Sequence, residues 1–165
     1  MHLILSAESV QNTIMTNENG QVLYKTSTPF SIRTHMTTFY KVVPNSDPDD
    51  MQDHLEAIGE IKWNLMGSSV IKHMFMGPDG FSYRWDMDFR VVRLSHNDAT
   101  RQELMQSHRR SLSIIGPRRD PSLDVDPSLM HMLDIVILTF VYVEKLQMDK
   151  EKRVKRNNGG GGGGP

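Results

Sequence analysis

Two kinds of residue in this chain have the chemistry to act on something else: histidines and clustered arginines. Seven histidines are present, but neither His-x-x-x-His nor His-Glu-x-x-His occurs. With no cysteine, a tetrahedral zinc set would need imidazoles and carboxylates gathered from distant positions. The acidic run Asp47–Glu56 resembles a calcium loop only in charge. Its sixth position is Gln52 rather than glycine, and its twelfth is Ile58 rather than glutamate. Ser69-Val70-Ile71-Lys72 matches Ser-x-x-Lys, but the companion motifs of that nucleophile class are missing, as is a Gly-x-Ser-x-Gly elbow. The expectation is therefore a non-catalytic protein without cofactor or metal.

The arginines have more to offer. Arg109-Arg110 flanks an expected strand, and Arg118-Arg119 follows Gly116-Pro117 in an expected turn. Guanidinium forks suit phosphate, so these four are the candidate site for anionic phospholipid headgroups. A competing basic cluster, Lys150, Lys152, Arg153, Lys155 and Arg156, lies near the C-terminal end. Net charge is −1, so no global field points to nucleic acid. Tyr83 and Trp85, two apart, share one strand face. Packing against a core explains them better than a ligand platform, and the twelve methionines read as core filler.

The elements that must position these residues are mostly strands. Short candidates are Leu3–Ser6, Asn12–Thr16, Gln21–Lys25, Ser31–Arg33, Thr37–Val43, Glu56–Asn64, Ser69–Phe75, Phe81–Met87, Arg90–Ser95, Leu104–Ile115 and Ser122–Val125. Asn17-Glu18-Asn19-Gly20 is a hairpin signal, Pro44–Asp53 a loop, and Gly77-Pro78-Asp79-Gly80 a turn. Met130–Val143 is then strongly apolar and gives way to the charged segment Glu144–Arg156. A bilayer span needs about 20 apolar residues, and the uninterrupted run Ile135–Val143 is too short, so protein is the expected surrounding.

Its β-branched content lowers helix propensity. Asp126-Pro127 nevertheless looks like an N-cap before a first-turn proline, and the charged segment is rich in helix formers. The pairs Asp149/Arg153 and Glu151/Lys155 would support the helix at i,i+4. Because its first half is apolar all round, Ile135, Leu138, Phe140 and Val141 are all expected to be buried. Strands followed by one such helix suggest a closed barrel filled by it. The expected organisation is a single domain over residues 1–156 with a glycine-rich, disordered tail at 157–165. No signal peptide is visible, making an intracellular location the default.

Five segments carry a family resemblance: Asn12–Pro29, Gly59–Trp63 (GEIKW), Asp79–Trp85 (DGFSYRW), His108–Ser113 (HRRSLS) and Met132–Lys145 (MLDIVILTFVYVEK). Together they resemble a fungal family of domains of unknown function within the tubby C-terminal-like group, alongside LURP-one-related proteins and phospholipid scramblases. The resemblance implies a mainly β protein with one long C-terminal helix, a tubby-like closed antiparallel β-barrel around a central hydrophobic helix. The connector Val70–Met76 is shorter than in relatives, which leaves the barrel short of a strand pair. Binding of phosphoinositide or an anionic membrane surface is the implied function. A protein–protein interaction module is the alternative, and a scramblase-like or tail-anchored membrane protein a further one.

Overall fold

Ten strands lie in one antiparallel sheet, and its order shows how the chain was laid down. The computed structural model describes residues 1–30, 35–44, 54–63, 74–110 and 119–158. The strands are β1 (His2–Leu5), β2 (Ile14–Asn17), β3 (Val22–Ser27), β4 (His35–Val43), β5 (His54–Trp63), β6 (Met74–Met76), β7 (Ser82–Asp88), β8 (Val91–His96), β9 (Glu103–His108) and β10 (Ser122–Val125). The spatial order β5-β4-β3-β2-β1-β10-β9-β8-β7-β6 describes two meanders fused along β1 and β10. That central junction pairs Leu3 with Leu123, the one strand contact between the two halves of the chain among the described residues.

Local chemistry explains most connections. Asn17 and Gly20 close the β2–β3 turn, with Gly20 N–H donating to the Asn17 carbonyl at 2.9 Å and Gly20 at φ +78°. Asp126 caps the next element by accepting from Ser128 N–H at 2.9 Å. A 3-10 segment, Pro127–Met132, then leads into α1 (Leu133–Asn158). The alternation expected of half-buried strands places Leu3, Leu5, Val92, Leu94, Leu123 and Val125 inward, where they meet Val136, Ile137, Phe140 and Val141 of α1 in one apolar core.

The expected closed barrel is not what forms: the sheet is open. Among the described residues β5 pairs only with β4, and β6 only with β7. The sheet does curl around α1. Leu138 packs on Gly59 and Tyr142 stacks on Trp63 at 5.7 Å from the β5 side, while Phe140 meets Trp85 at 6.5 Å from the β7 side. Closure is withheld for two physical reasons. β6 offers only three residues among those described. β5 carries Glu56, Glu60 and Lys62, the kind of charges that blunt an edge.

The helix is also less enclosed than its apolar run implies. Phe140 and Val141 are buried and Leu138 is half-buried, but Ile135 is 41% exposed. The buried positions 133, 136, 137, 140, 141, 143, 144 and 147 form one stripe, because a curled open sheet covers one side. The expected pairs Asp149/Arg153 and Glu151/Lys155 do not form. Asp149 is taken by Lys145 and Glu151 by Arg109. Tyr83 and Trp85 are both buried in the core, as their shared face implied. The Ser31–Arg33 strand, most of the Pro44–Asp53 loop, Ser69–His73, Ser111–Ile115 and Gly159–Pro165 lie outside the described residues.

The turn before β7 fixes the hairpin to the helix. A Cβ on Gly77 would sit 2.5 Å from Asp79 Oδ1 and 2.6 Å from the Tyr83 ring, closer than real atoms approach. Asp79 cannot simply move, because it accepts from Tyr83 Oη at 2.6 Å and contacts His131 Nε2 at 3.0 Å. Gly77→Ala is therefore expected to lower stability by about 1–3 kcal/mol, the usual cost of overpacking. Urea melts of both proteins check this, and a loss below roughly 0.5 kcal/mol would show that the turn yields freely.

Candidate functional site

Arg109 follows directly on β9, and its side chain turns inward rather than toward solvent. It is 6% exposed, with Nε donating to Glu144 Oε1 at 2.5 Å and Nη1 donating to Glu151 Oε2 at 2.6 Å. Glu144 and Glu151 are seven residues apart on α1 and so share a face. Gln147 lies between them and donates to the Asp88 carbonyl at 2.7 Å and to Glu151 Oε1 at 3.0 Å. Arg90 N–H also donates to Glu151 Oε1, at 2.9 Å. Burial pushes the Glu144 carboxyl up even with Arg109 beside it. Burial acts the same way on Glu151, but the Arg90 N–H, Arg109 and Gln147 outweigh it and hold Glu151 below the usual glutamate range. Arg109 is thus a clamp between sheet and helix, with its Nε and Nη1 already occupied by carboxylates.

The other arginines expected at a headgroup site are not gathered around it. Arg110 is half-exposed and lies 3.6 Å from Asp120, while its carbonyl accepts from Arg90 Nη2 at 2.8 Å. Arg119 is exposed. Arg118 lies outside the described residues.

The competing cluster looks different. Lys150, Lys152, Arg153, Lys155 and Arg156 are all exposed on the last turns of α1, with Val154 52% exposed among them. The nearby acids do not offset them equally, since Glu151 faces Arg109 and Asp149 faces Lys145. What remains outward is a helix end dominated by cations. Sequence had raised this cluster as a competitor, but which acids point away from it becomes visible only in three dimensions.

Three further polar clusters join distant parts of the chain. Asp134, at the start of α1, accepts from Tyr24 Oη at 2.5 Å and from Lys41 Nζ at 2.7 Å. Burial first, and Asp134 second, push the Tyr24 hydroxyl well above its ordinary range. The Tyr83 hydroxyl is pushed up to about 12 by burial and by Asp79. On the sheet, Asp124 bridges His2 Nδ1 at 2.6 Å and His108 Nε2 at 2.8 Å. These two contacts, the His2 bond foremost, hold Asp124 below the usual carboxylate range. Among the described residues no Ser or Thr hydroxyl bonds a histidine ring, so no nucleophile–base pair is assembled there. Nor does any group of three or more His, Asp or Glu among them sit together as metal ligands.

Comparison with known proteins gives one match. No curated protein and no solved structure matches the chain. A family model described as a family of unknown function (DUF6593) matches residues 8–149, which takes in all ten strands except β1 and most of α1. The chain therefore belongs to the DUF6593 family.

Proposed function

We propose that this protein is a non-catalytic docking domain that binds anionic phospholipid surfaces reversibly through the basic end of α1. The observation that carries this reading is the exposure of Lys150, Lys152, Arg153, Lys155 and Arg156 together, with Glu151 turned away onto Arg109. Clusters of four to eight bases near an anionic bilayer contribute roughly 1 kcal/mol each. Arg110 and Arg119 are exposed and act as minor contributors, whereas Arg109 is committed to Glu144 and Glu151. Contact is peripheral: no described helix is long and apolar enough to cross a membrane. Kinship with tubby-like proteins belongs to this proposal too, supported by the quoted segments and by a sheet that curls around a C-terminal helix.

The test is co-sedimentation with vesicles of phosphatidylcholine alone or with one-third phosphatidylserine. Binding to the anionic vesicles alone is expected, fading as salt shortens the Debye length from about 10 Å at 0.1 M to 3 Å at 1 M. Replacing the five helix-end bases with Gln should weaken partitioning at least about tenfold, a loss of about 1.4 kcal/mol. Arg110→Gln with Arg119→Gln should change it by less than about threefold. Equal binding to both vesicle types, or no response to the five substitutions, refutes the proposal in favour of an interaction module without lipid contact.

A further inference from the structure

At the opposite end of α1, a cavity of about 610 Å3 opens between the start of the helix and strands β3 and β4. It falls within the range of about 300–1,000 Å3 typical of small-molecule sites. Leu23, Val42, Met130, Met132, Leu133 and Ile135 supply half of the residues that line it. Ile135 and Met130, 41% and 47% exposed, belong to the exposed large apolar side chains of the described protein. The most apolar run of the chain thus leaves Ile135 uncovered because that residue faces this cavity.

The polar groups at the cavity define what fits. Lys41 and Asp134 face each other at 2.7 Å and cancel in charge, and Tyr24 Oη already donates to the carboxylate. Both nitrogens of His131 are engaged, on the Ser128 carbonyl at 2.8 Å and on Asp79 at 3.0 Å. An incoming anion would therefore meet the Asp134 carboxylate beside the one ammonium. An incoming cation would meet the Lys41 ammonium, which already pairs with Asp134. Lys41 retains N–H donors beyond the one given to Asp134. We infer that this cavity binds a small uncharged amphiphile, with its apolar body against Ile135, Met130 and Val42 and one acceptor oxygen toward Lys41. The site lies roughly 25 Å along the helix axis from Lys150, so it operates apart from the membrane-facing end.

The experiment uses the full chain and the neutral fluorophore N-phenyl-1-naphthylamine, displaced in turn by 1-decanol, decanoate and decylammonium, which share one tail. Fluorophore binding is expected, with decanol displacing it at concentrations at least about tenfold lower than either charged analogue. Ile135→Arg should weaken fluorophore and decanol at least about tenfold with the melting midpoint unchanged, and Val42→Arg on the facing wall should do the same. No fluorophore binding, displacement led by a charged analogue, or indifference to both substitutions overturns the inference. So does sedimentation showing a dimer that Ile135→Arg dissociates, because the apolar wall would then be covered by a second copy. Vesicle binding does not depend on any of these outcomes.

Discussion

A chain ending at Asp126 is expected to lose its cooperative melt altogether, whereas one ending at Arg156 should melt like the full protein. The segment removed in the first case carries Leu129, Met132, Leu133, Val136, Ile137, Phe140, Val141 and Val143, all buried. Deleting one large apolar side chain from a core costs about 2–5 kcal/mol. Eight such losses exceed the roughly 5–15 kcal/mol that holds a typical domain together. The sheet cannot compensate by closing on itself, since β5 and β6 are unpaired with each other among the described residues even with the helix in place. Residue 157, by contrast, is exposed at the end of α1. Circular dichroism and a urea melt decide the matter. A cooperative transition for residues 1–126 close to that of the full chain would mean that the sheet carries its own stability.

The two meanders were largely legible in the sequence, because each hairpin is encoded locally. Asn17–Gly20 and Gly77–Gly80 announce turns by residue type, and the alternation in β3, β7 and β8 places the inward side chains correctly. The junction of β1 with β10 was not legible. It pairs Leu3 with Leu123, and no local signal encodes a partner so far along the chain. The open edge was hidden for a related reason. An apolar run such as Ile135–Val143 shows that a helix needs cover, but not from how many sides, and Ile135 turns out to face a cavity. At Arg109 the sequence hid an electrostatic commitment. A sequence shows paired arginines as a basic patch, and only folding shows that Glu144 and Glu151 arrive on the same helix face to neutralise one of them. The signal available in advance was the spacing of those glutamates, seven apart on a helix whose neighbouring positions are buried.

Arg109→Ala should destabilise the protein by about 3–5 kcal/mol at pH 8, the cost of leaving a buried charge unpaired. Glu144, 2% exposed, would lose its one cationic partner among the described residues, and Glu151 would lose one of the three donors it has there. The pH dependence has a definite sign. A carboxyl raised in the folded state binds its proton more tightly there than in the unfolded chain. Its stabilising contribution is therefore present below the unfolded value and is lost as pH rises through the folded one. Glu144 is already raised by burial with Arg109 present, and without Arg109 it rises further. The cost of Arg109→Ala should accordingly shrink on acidification, as Glu144 takes up a proton and the buried charge disappears. Glu151, held low, runs the other way: its contribution is present above the unfolded value and is lost as pH falls through the folded one. Because Glu151 keeps the Arg90 N–H and Gln147, its share in the variant is the smaller, and the Glu144 slope dominates. Replacing both members of the most buried pair, Arg109→Met with Glu144→Leu, should recover most of the loss, since apolar groups of similar volume remove the desolvation penalty along with the attraction. Urea melts of the three proteins at pH 5 and pH 8 separate these terms. A loss under about 1 kcal/mol for Arg109→Ala, or one that grows on acidification, would show that the clamp is a solvated surface contact.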